Sequence, residues 1–379
     1  MHLPNYWLPA ATVVSKIVDK YPSASTDHEY ESCLHPLLTN TPAPVTPGTR
    51  IHSTPFNSTP RTKGTVAHAK MATFTPDQIS RYLKHIGWDA NFQAPIGTLA
   101  YLQELQKRQL ARVPFEDLSL HYSPTHLLSL DPNDLFNKMV GRNMGGYCME
   151  NNTYFGAVLR TLGFSVINAG GRVSHATAGR PGPGYMGWSH MVNIVTIDGM
   201  KYLVDVGFGA NEPTTPLALV SGHETRGIGT VSFKLLYTSL ALHTDKSQRV
   251  WVYSHRDTEK DPNAPWTDAY AFSEMEFFPE DYEVMNLSTM TLRSSFFVQS
   301  VFCVKMTLDE KTGEPNGWLM LTDRPGEVKR KTLNGMEVLE TFRSEEGRIA
   351  ALKKWFDIEL TDAEKAGIRD LSTELRGWY

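Results

Sequence analysis

The pattern of apolar and polar residues changes character along the chain, helical first, then mostly strands, then mixed. Phe155, Val158, Leu159 and Leu162 recur at i, i+3, i+4 and i+7, one apolar stripe closed by Gly163, so a helix is predicted directly after Cys148. Thr75-Pro76-Asp77-Gln78 supplies an N-cap, a proline at the first helical position and a glutamine three residues on, and opens a predicted helix over 76–86. Further helices are expected over 97–109 and 132–140. Residues 188–209, WSHMVNIVTIDGMKYLVDVGFG, have the pattern of two strands joined at Asp198-Gly199, the strongest short hairpin signal. Strands are expected from about 166 to 305, among them VINAGGRV, VSFKLLY, RVWVYSH and FFVQSVFCVKM. A further sheet portion in the 320s to 340s turns at Asn334-Gly335, and 344–356 reads as a helix capped by Ser344 with Glu345 and Glu346 in its first turn.

Residues 1–70 differ from the rest, holding nine of the 23 prolines amid many serines and threonines. Such a segment buries too little apolar surface to offset chain entropy, and disorder is expected. Its start lacks a basic region and is broken by prolines, unlike a secretory signal, and Asp19, Asp27, Glu29 and Glu31 weigh against a transit peptide. Met71 is read as the effective beginning of the folded part, with 1–70 a dispensable extension or a gene-model artefact.

Composition narrows the class. The 379 residues are 41% hydrophobic and 21% charged with a formal net charge of −4, enough chain for two or three domains with a real core. Weak acidity, with Lys329-Arg330-Lys331 the nearest thing to a basic cluster, argues against nucleic acid as a partner. Cys33, Cys148 and Cys303 cannot all pair, which suits a reducing compartment and a cytoplasmic location. No Cys-x-x-Cys or His-Glu-x-x-His spacing occurs, so no metal site is expected, and the glycines of 170–171 and 179–187 do not form a P-loop. No apolar stretch approaches the ~20 residues that span a bilayer, so no membrane partner is expected.

The candidate chemistry centres on Cys148. Gly145-Gly146-Tyr147 leads into it, and the predicted helix places its thiol at a helix N-terminus, where unpaired N–H groups and the aligned dipoles favour the thiolate. Taken alone, a free cysteine is most often a small buried hydrophobe. Partners change that. With Asp198-Gly199 as the turn, facing residues sum to 397, so Ile197 pairs with Met200, and His190 and Asp205 fall on one face as diagonal neighbours, roughly 7–8 Å apart between backbones. A four-residue loop keeps that register and a three-residue loop reverses it. A cysteine, a histidine to take its proton and an aspartate to orient the histidine are the parts of an activated nucleophile.

Gly145, Gly146, Tyr147, Cys148, Glu150 and Asn152, followed in order by His190 and by Asp205-Val206-Gly207-Phe208-Gly209, resemble the arylamine N-acetyltransferase family. Arg112-Val113-Pro114-Phe115-Glu116-Asp117-Leu118 is similar to its Pro-Phe-Glu motif. Asp281-Tyr282-Glu283-Val284-Met285-Asn286 with Ser294 and Phe296 resembles a later segment. The likeness spans about 72–379 and is nearest in style to fungal members. Met144 stands where the family has arginine directly before the paired glycines, with Arg142 two places earlier, and Asp117 replaces an asparagine.

The resemblance implies an α+β fold: a helical bundle over 71–165 carrying the cysteine, a β-barrel over 166–285 carrying the histidine and aspartate, and an α/β lid over 286–379. It implies a cysteine-protease-like triad where the first two domains meet. The activity it implies is ping-pong transfer, through an acyl-cysteine, from acetyl-coenzyme A or another acyl-coenzyme A to an aromatic amine or hydrazine, xenobiotic or plant-derived. It also implies Phe115 and Phe208 as walls of an apolar pocket, Gly209 as the point of close approach, and Ser189 near the coenzyme A entrance, with Arg172 and Arg180 toward its phosphates. A cysteine hydrolase, papain-like or transglutaminase-like, would use the same three residues to transfer to water or lysine. A non-catalytic scaffold would have no need of all three. Acetyl, propionyl and malonyl donors stay open from these residues, as do the natural amine and the oligomeric state.

Overall fold

The computed structural model describes residues 73–377, so the expectations for 1–70 and for a start at Met71 lie outside the described residues. Thr75 opens α1 (Pro76–His85) as expected, its hydroxyl accepting from the Gln78 N–H and the Gln78 side chain returning to the Thr75 N–H. Next come α2 (Leu99–Arg112), β1 (Phe115–Glu116), α3 (Leu118–Tyr122) and α4 (Pro132–Phe136), the last continued by a π-helical turn over Asn137–Gly141. The helix predicted over 97–109 thus begins at Leu99, where Thr98 caps it, and runs on to Arg112. α5 (Cys148–Thr161) starts at the cysteine. Phe155, Val158 and Leu159 of its predicted stripe are buried and Leu162, just past its end, is partly so, but Met149, Glu150, Asn151 and Asn152 on other sides are buried too, because α5 packs on β2 and β3 with most of its sides covered.

Strands β2 (Ser165–Val173), β3 (His190–Ile197), β4 (Met200–Val204), β5 (Leu217–Ala218), β6 (Glu224–Arg226), β7 (Val231–Thr238), β8 (Val250–Asp257) and β9 (Thr267–Glu276) form one antiparallel ladder in the order β5-β4-β3-β2-β9-β8-β7-β6. Seven of these strands, all but β6, send side chains into a single core, among them Val192, Leu203, Phe233, Tyr253 and Phe272, so the sheet curls around it as a nearly closed barrel. The β3–β4 hairpin has the predicted register, Ile197 opposite Met200 and Asn193 opposite Val204. Asp198 and Gly199 both take positive φ, +49° and +77°, the turn whose twist matches that of its strands.

The chain then forms α6 (Pro279–Thr291), which runs through the division expected at 285/286, α7 (Phe296–Gln299), β10 (Phe302–Leu308), β11 (Pro315–Asp323), β12 (Gly326–Thr332), β13 (Gly335–Thr341), α8 (Glu345–Ala351) and α9 (Asp362–Gly367). These strands make a second sheet in the order β1-β10-β11-β12-β13, with Phe115 opposite Val304, so the segment around Phe115 belongs to it by pairing. Two expectations are corrected. FFVQSVFCVKM is a strand only from Phe302, because Phe296 and Phe297 both lie against the Phe302 ring, at 5.3 and 5.8 Å, whereas neighbours in a strand point to opposite faces. The β12–β13 turn sits at Leu333-Asn334, since Gly335 is already paired with Thr332. The helix after Ser344 is capped as expected and ends in a π-helical turn over Leu352–Phe356. Among the described residues no helix is long and apolar enough to cross a membrane.

Candidate active site

Cys148 opens α5, and the turn ahead of it is fixed by two buried carboxylates. Glu116 accepts the Gly145 N–H at 3.0 Å, and Glu150, in the first turn of α5, reaches back to accept the Tyr147 N–H at 3.1 Å. Lys138 lies between them, 3.3 Å from Glu116 and 2.8 Å from Glu150. Burial and the neighbouring Glu116 push the Glu150 carboxyl up, and Lys138 pulls it back. The positive charge at this turn is thus Lys138, from the π-helical turn. Met144 is buried with Leu118 and Tyr122 in another core, and Arg142 pairs with Glu364. Asp117 accepts the Phe302 N–H at 3.1 Å and ties the start of α3 to β10.

His190 begins β3 and Asp205 follows β4, and both are buried. His190 Nε2 and Asp205 Oδ2 are 2.7 Å apart, the contact that the hairpin register predicted. The other carboxylate oxygen accepts from Asn152 Nδ2 at 2.8 Å and from the Gly207 N–H at 3.0 Å. Burial alone would lower the imidazole pKa. The charge and hydrogen bond of Asp205, with a further pull from the Cys148 thiol, outweigh it and raise His190 to about 10. For Asp205 burial acts upward, and His190, Asn152 and Gly207 bring its carboxyl below the ordinary value. The sulfur of Cys148 lies 3.7 Å from the Ser189 carbonyl oxygen, next to His190 in the chain. One helix end and one hairpin end thus bring thiol, imidazole and carboxylate to the junction of α5 with the barrel.

Phe208 packs edge-on against the His190 ring at 5.1 Å, and both touch Tyr270. Gly209 lies against Phe115, where an added Cβ would come within 2.9 Å of the ring, so Phe115, Phe208 and Gly209 line one neighbourhood. The Ser189 hydroxyl donates to the Gly187 carbonyl. Arg172 stacks 4.0 Å over the Trp188 ring and donates to the Met186 carbonyl, while Arg180 is exposed on the loop. Glu212, to which the sequence reading assigned nothing, accepts the N–H groups of Phe208 and Gly209, and burial beside the Asp205 charge pushes it up to about 8. Asn152 is a member of the cysteine motif without an assigned role, yet it joins α5 to Asp205, the Met191 carbonyl and the Val206 N–H. Among the described residues no group of three or more His, Cys, Asp or Glu is placed to hold a metal ion.

Residues 98–364 match the family model described as N-acetyltransferase. The chain is 40% identical over 282 residues to N-malonyltransferase FDB2 of Fusarium pseudograminearum (strain CS3096), covering 71% of this chain and 81% of that protein. It is 31% identical over 237 residues to arylamine N-acetyltransferase 1 of Homo sapiens, covering 61% and 78%. The solved arylamine N-acetyltransferase of Mycobacterium marinum is 26% identical with a TM-score of 0.63, covering 78% of this chain and 99% of that one. The same bacterial protein in complex with CoA gives 0.61, covering 77% and 99%. On the motifs, the fold and these matches, the chain belongs to the arylamine N-acetyltransferase family, as one of its N-acyltransferases.

Proposed function

We propose that this protein moves a short acyl group from acyl-coenzyme A to an aromatic amine or hydrazine by a ping-pong mechanism through an acyl-cysteine on Cys148. The observation that carries the reading is the His190–Asp205 contact of 2.7 Å beside the buried thiol. A free thiol, with a pKa of about 8.5, is mostly protonated near neutrality. His190 takes its proton, and Asp205 steadies the imidazolium. The thiolate then attacks the thioester carbonyl. The carbon–sulfur bond to coenzyme A breaks, and that sulfur leaves with the proton held by His190. The acceptor nitrogen attacks the acyl-cysteine, loses its proton to His190 and releases the Cys148 thiolate. Phe115, Phe208 and Gly209 form the apolar side of the acyl site, which keeps water from the intermediate. The 40% identity to an N-malonyltransferase supports malonyl-coenzyme A as a donor beside acetyl-coenzyme A.

Incubation with each acyl-coenzyme A, read by intact mass, tests this. An adduct that Cys148→Ala abolishes and aniline discharges is the expected result. Absence of any adduct with either donor would sink the reading, and discharge by water as fast as by aniline would favour a hydrolase.

A further inference from the structure

A row of polar side chains leads from the far end of α5 to Asp205. Arg160, in the last turn of α5, donates from Nη2 to Asn168 Oδ1 on β2. Asn168 Nδ2 donates to Asn193 Oδ1 on β3 at 2.6 Å, and Asn193 Nδ2 donates to Asn152 Oδ1 at 3.2 Å. Asn152 Nδ2 donates to Asp205 Oδ1 at 2.8 Å. Every bond points the same way. An arginine can only donate and an ionised carboxylate can only accept, so the two ends fix the orientation of the three amides between them. Aligned amides in a low-dielectric interior polarise one another, and here each successive N–H is aimed toward the carboxylate.

The chain gives up apolar positions to build this row. Asn168 and Asn193 are directly opposite across the β2–β3 ladder, and Asn193 interrupts the otherwise apolar stretch Met191-Val192-Asn193-Ile194-Val195. Asn152 and Asn193 are fully buried and Asn168 is 7% exposed. Gly156 lies inside α5, where glycine is disfavoured against alanine. A Cβ there would come 2.6 Å from Asn193 Oδ1 and 3.2 Å from Asn168 Nδ2, so the helix leaves room for the amides. The row also serves one of two neighbouring buried acids. Asp205 is held low while Glu212, which the row does not reach, is pushed up.

We propose that Arg160, Asn168 and Asn193 are positioning residues that act through Asn152, forming a polarised amide relay that sets the rotamer of Asp205 and keeps it charged opposite His190. This rests on the catalytic reading of Cys148, His190 and Asp205. Other groups facing the two ends are Glu212, Tyr253 and Tyr270 around Asp205, and Glu276 and Tyr282 around Arg160. All of these groups are unchanged in the variants used in the test.

The experiment is the rate of Cys148 alkylation by iodoacetamide against pH for the full chain, Arg160→Met and Arg160→Lys. Removing the cation that orients the row favours protonation at Asp205, so the acid limb should move to higher pH by about half a unit or more in Arg160→Met. Arg160→Lys should keep the limb close to its wild-type position. A stabilising role alone would lower the unfolding temperature and leave the limb in place, and that result overturns the relay. If Arg160→Met does not fold, Asn168→Asp substitutes for it: its carboxylate still accepts from Arg160 but cannot donate to Asn193. The same upward shift is expected there, and an unmoved limb overturns the relay equally. A wild-type Cys148 no more reactive than Cys303 would instead defeat the catalytic reading, so the two failures are distinguishable.

Discussion

The Cys148 sulfur lies 3.7 Å from the main-chain oxygen of Ser189. It is the backbone of Ser189, held by its N–H to the Gly171 carbonyl at 3.0 Å, that meets the thiol, while the hydroxyl turns back to Gly187. Ser189→Ala should therefore change the rate of acyl-cysteine formation by less than about threefold, as expected for loss of one partly exposed hydroxyl. Ser189→Pro, which removes the N–H, should slow it much more. Stopped-flow measurement of coenzyme A release checks both, and a large loss in the alanine variant would give the hydroxyl a direct part.

Lys138 neutralises two carboxylates that hold the turn before Cys148. Lys138→Met leaves both buried without a cation and should destabilise the fold by about 3–5 kcal/mol. The loss depends on pH. Because the Glu150 carboxyl is already raised, protonation favours the folded state, so the deficit should shrink toward acid pH and grow toward neutral. Urea unfolding of both proteins across pH measures it, and a deficit independent of pH would contradict the ion-pair account.

His190 and Asp205 stabilise the fold over different pH ranges. A raised imidazole contributes fully below its unfolded pKa of about 6.5 and loses that contribution as pH rises through about 10. A depressed carboxyl contributes above its unfolded value of about 3.9 and loses it as pH falls through the folded one. The stability difference between the wild type and Asp205→Asn should thus be widest between about pH 4 and 6.5 and narrow toward pH 10. Equal differences at pH 5 and pH 10 would show that the pair is not charged in the way described.

Gly209 has a φ of +78°, and an added Cβ would meet Phe115 Cδ1 at 2.9 Å. Gly209→Ala should cost more than about 1 kcal/mol of stability, since alanine is strained at positive φ. It should also disfavour a malonyl donor more than an acetyl one by narrowing the acyl site. The ratio of kcat/KM values for the two donors reads this out, and an unchanged ratio would remove Gly209 from the acyl site.

Much of the candidate site was legible because its geometry is local. Asp198-Gly199 fixes the parity of one hairpin, and parity alone puts His190 and Asp205 on a common face. The apolar stripe from Phe155 places a helix end at Cys148. Lys138, Glu116 and Glu150 were not legible as a group, since no short-range pattern links the π-helical turn, β1 and α5. The helix at Phe296–Gln299 was missed because its cause is ring contact with Phe302. Asn193, a buried amide inside an apolar strand, was a local sign that a polar network crosses the core.

The sequence by itself determined the candidate cysteine, histidine and aspartate, the hairpin register and the family, because motif, turn chemistry and period act over a few residues. Tertiary structure alone decided which buried charges meet: Lys138 between Glu116 and Glu150, Glu212 beneath the Gly209 turn, and the row from Arg160 to Asp205. A buried polar group must find its partner wherever the fold brings one, and that partner sits on another element whose approach is set by packing of the whole core.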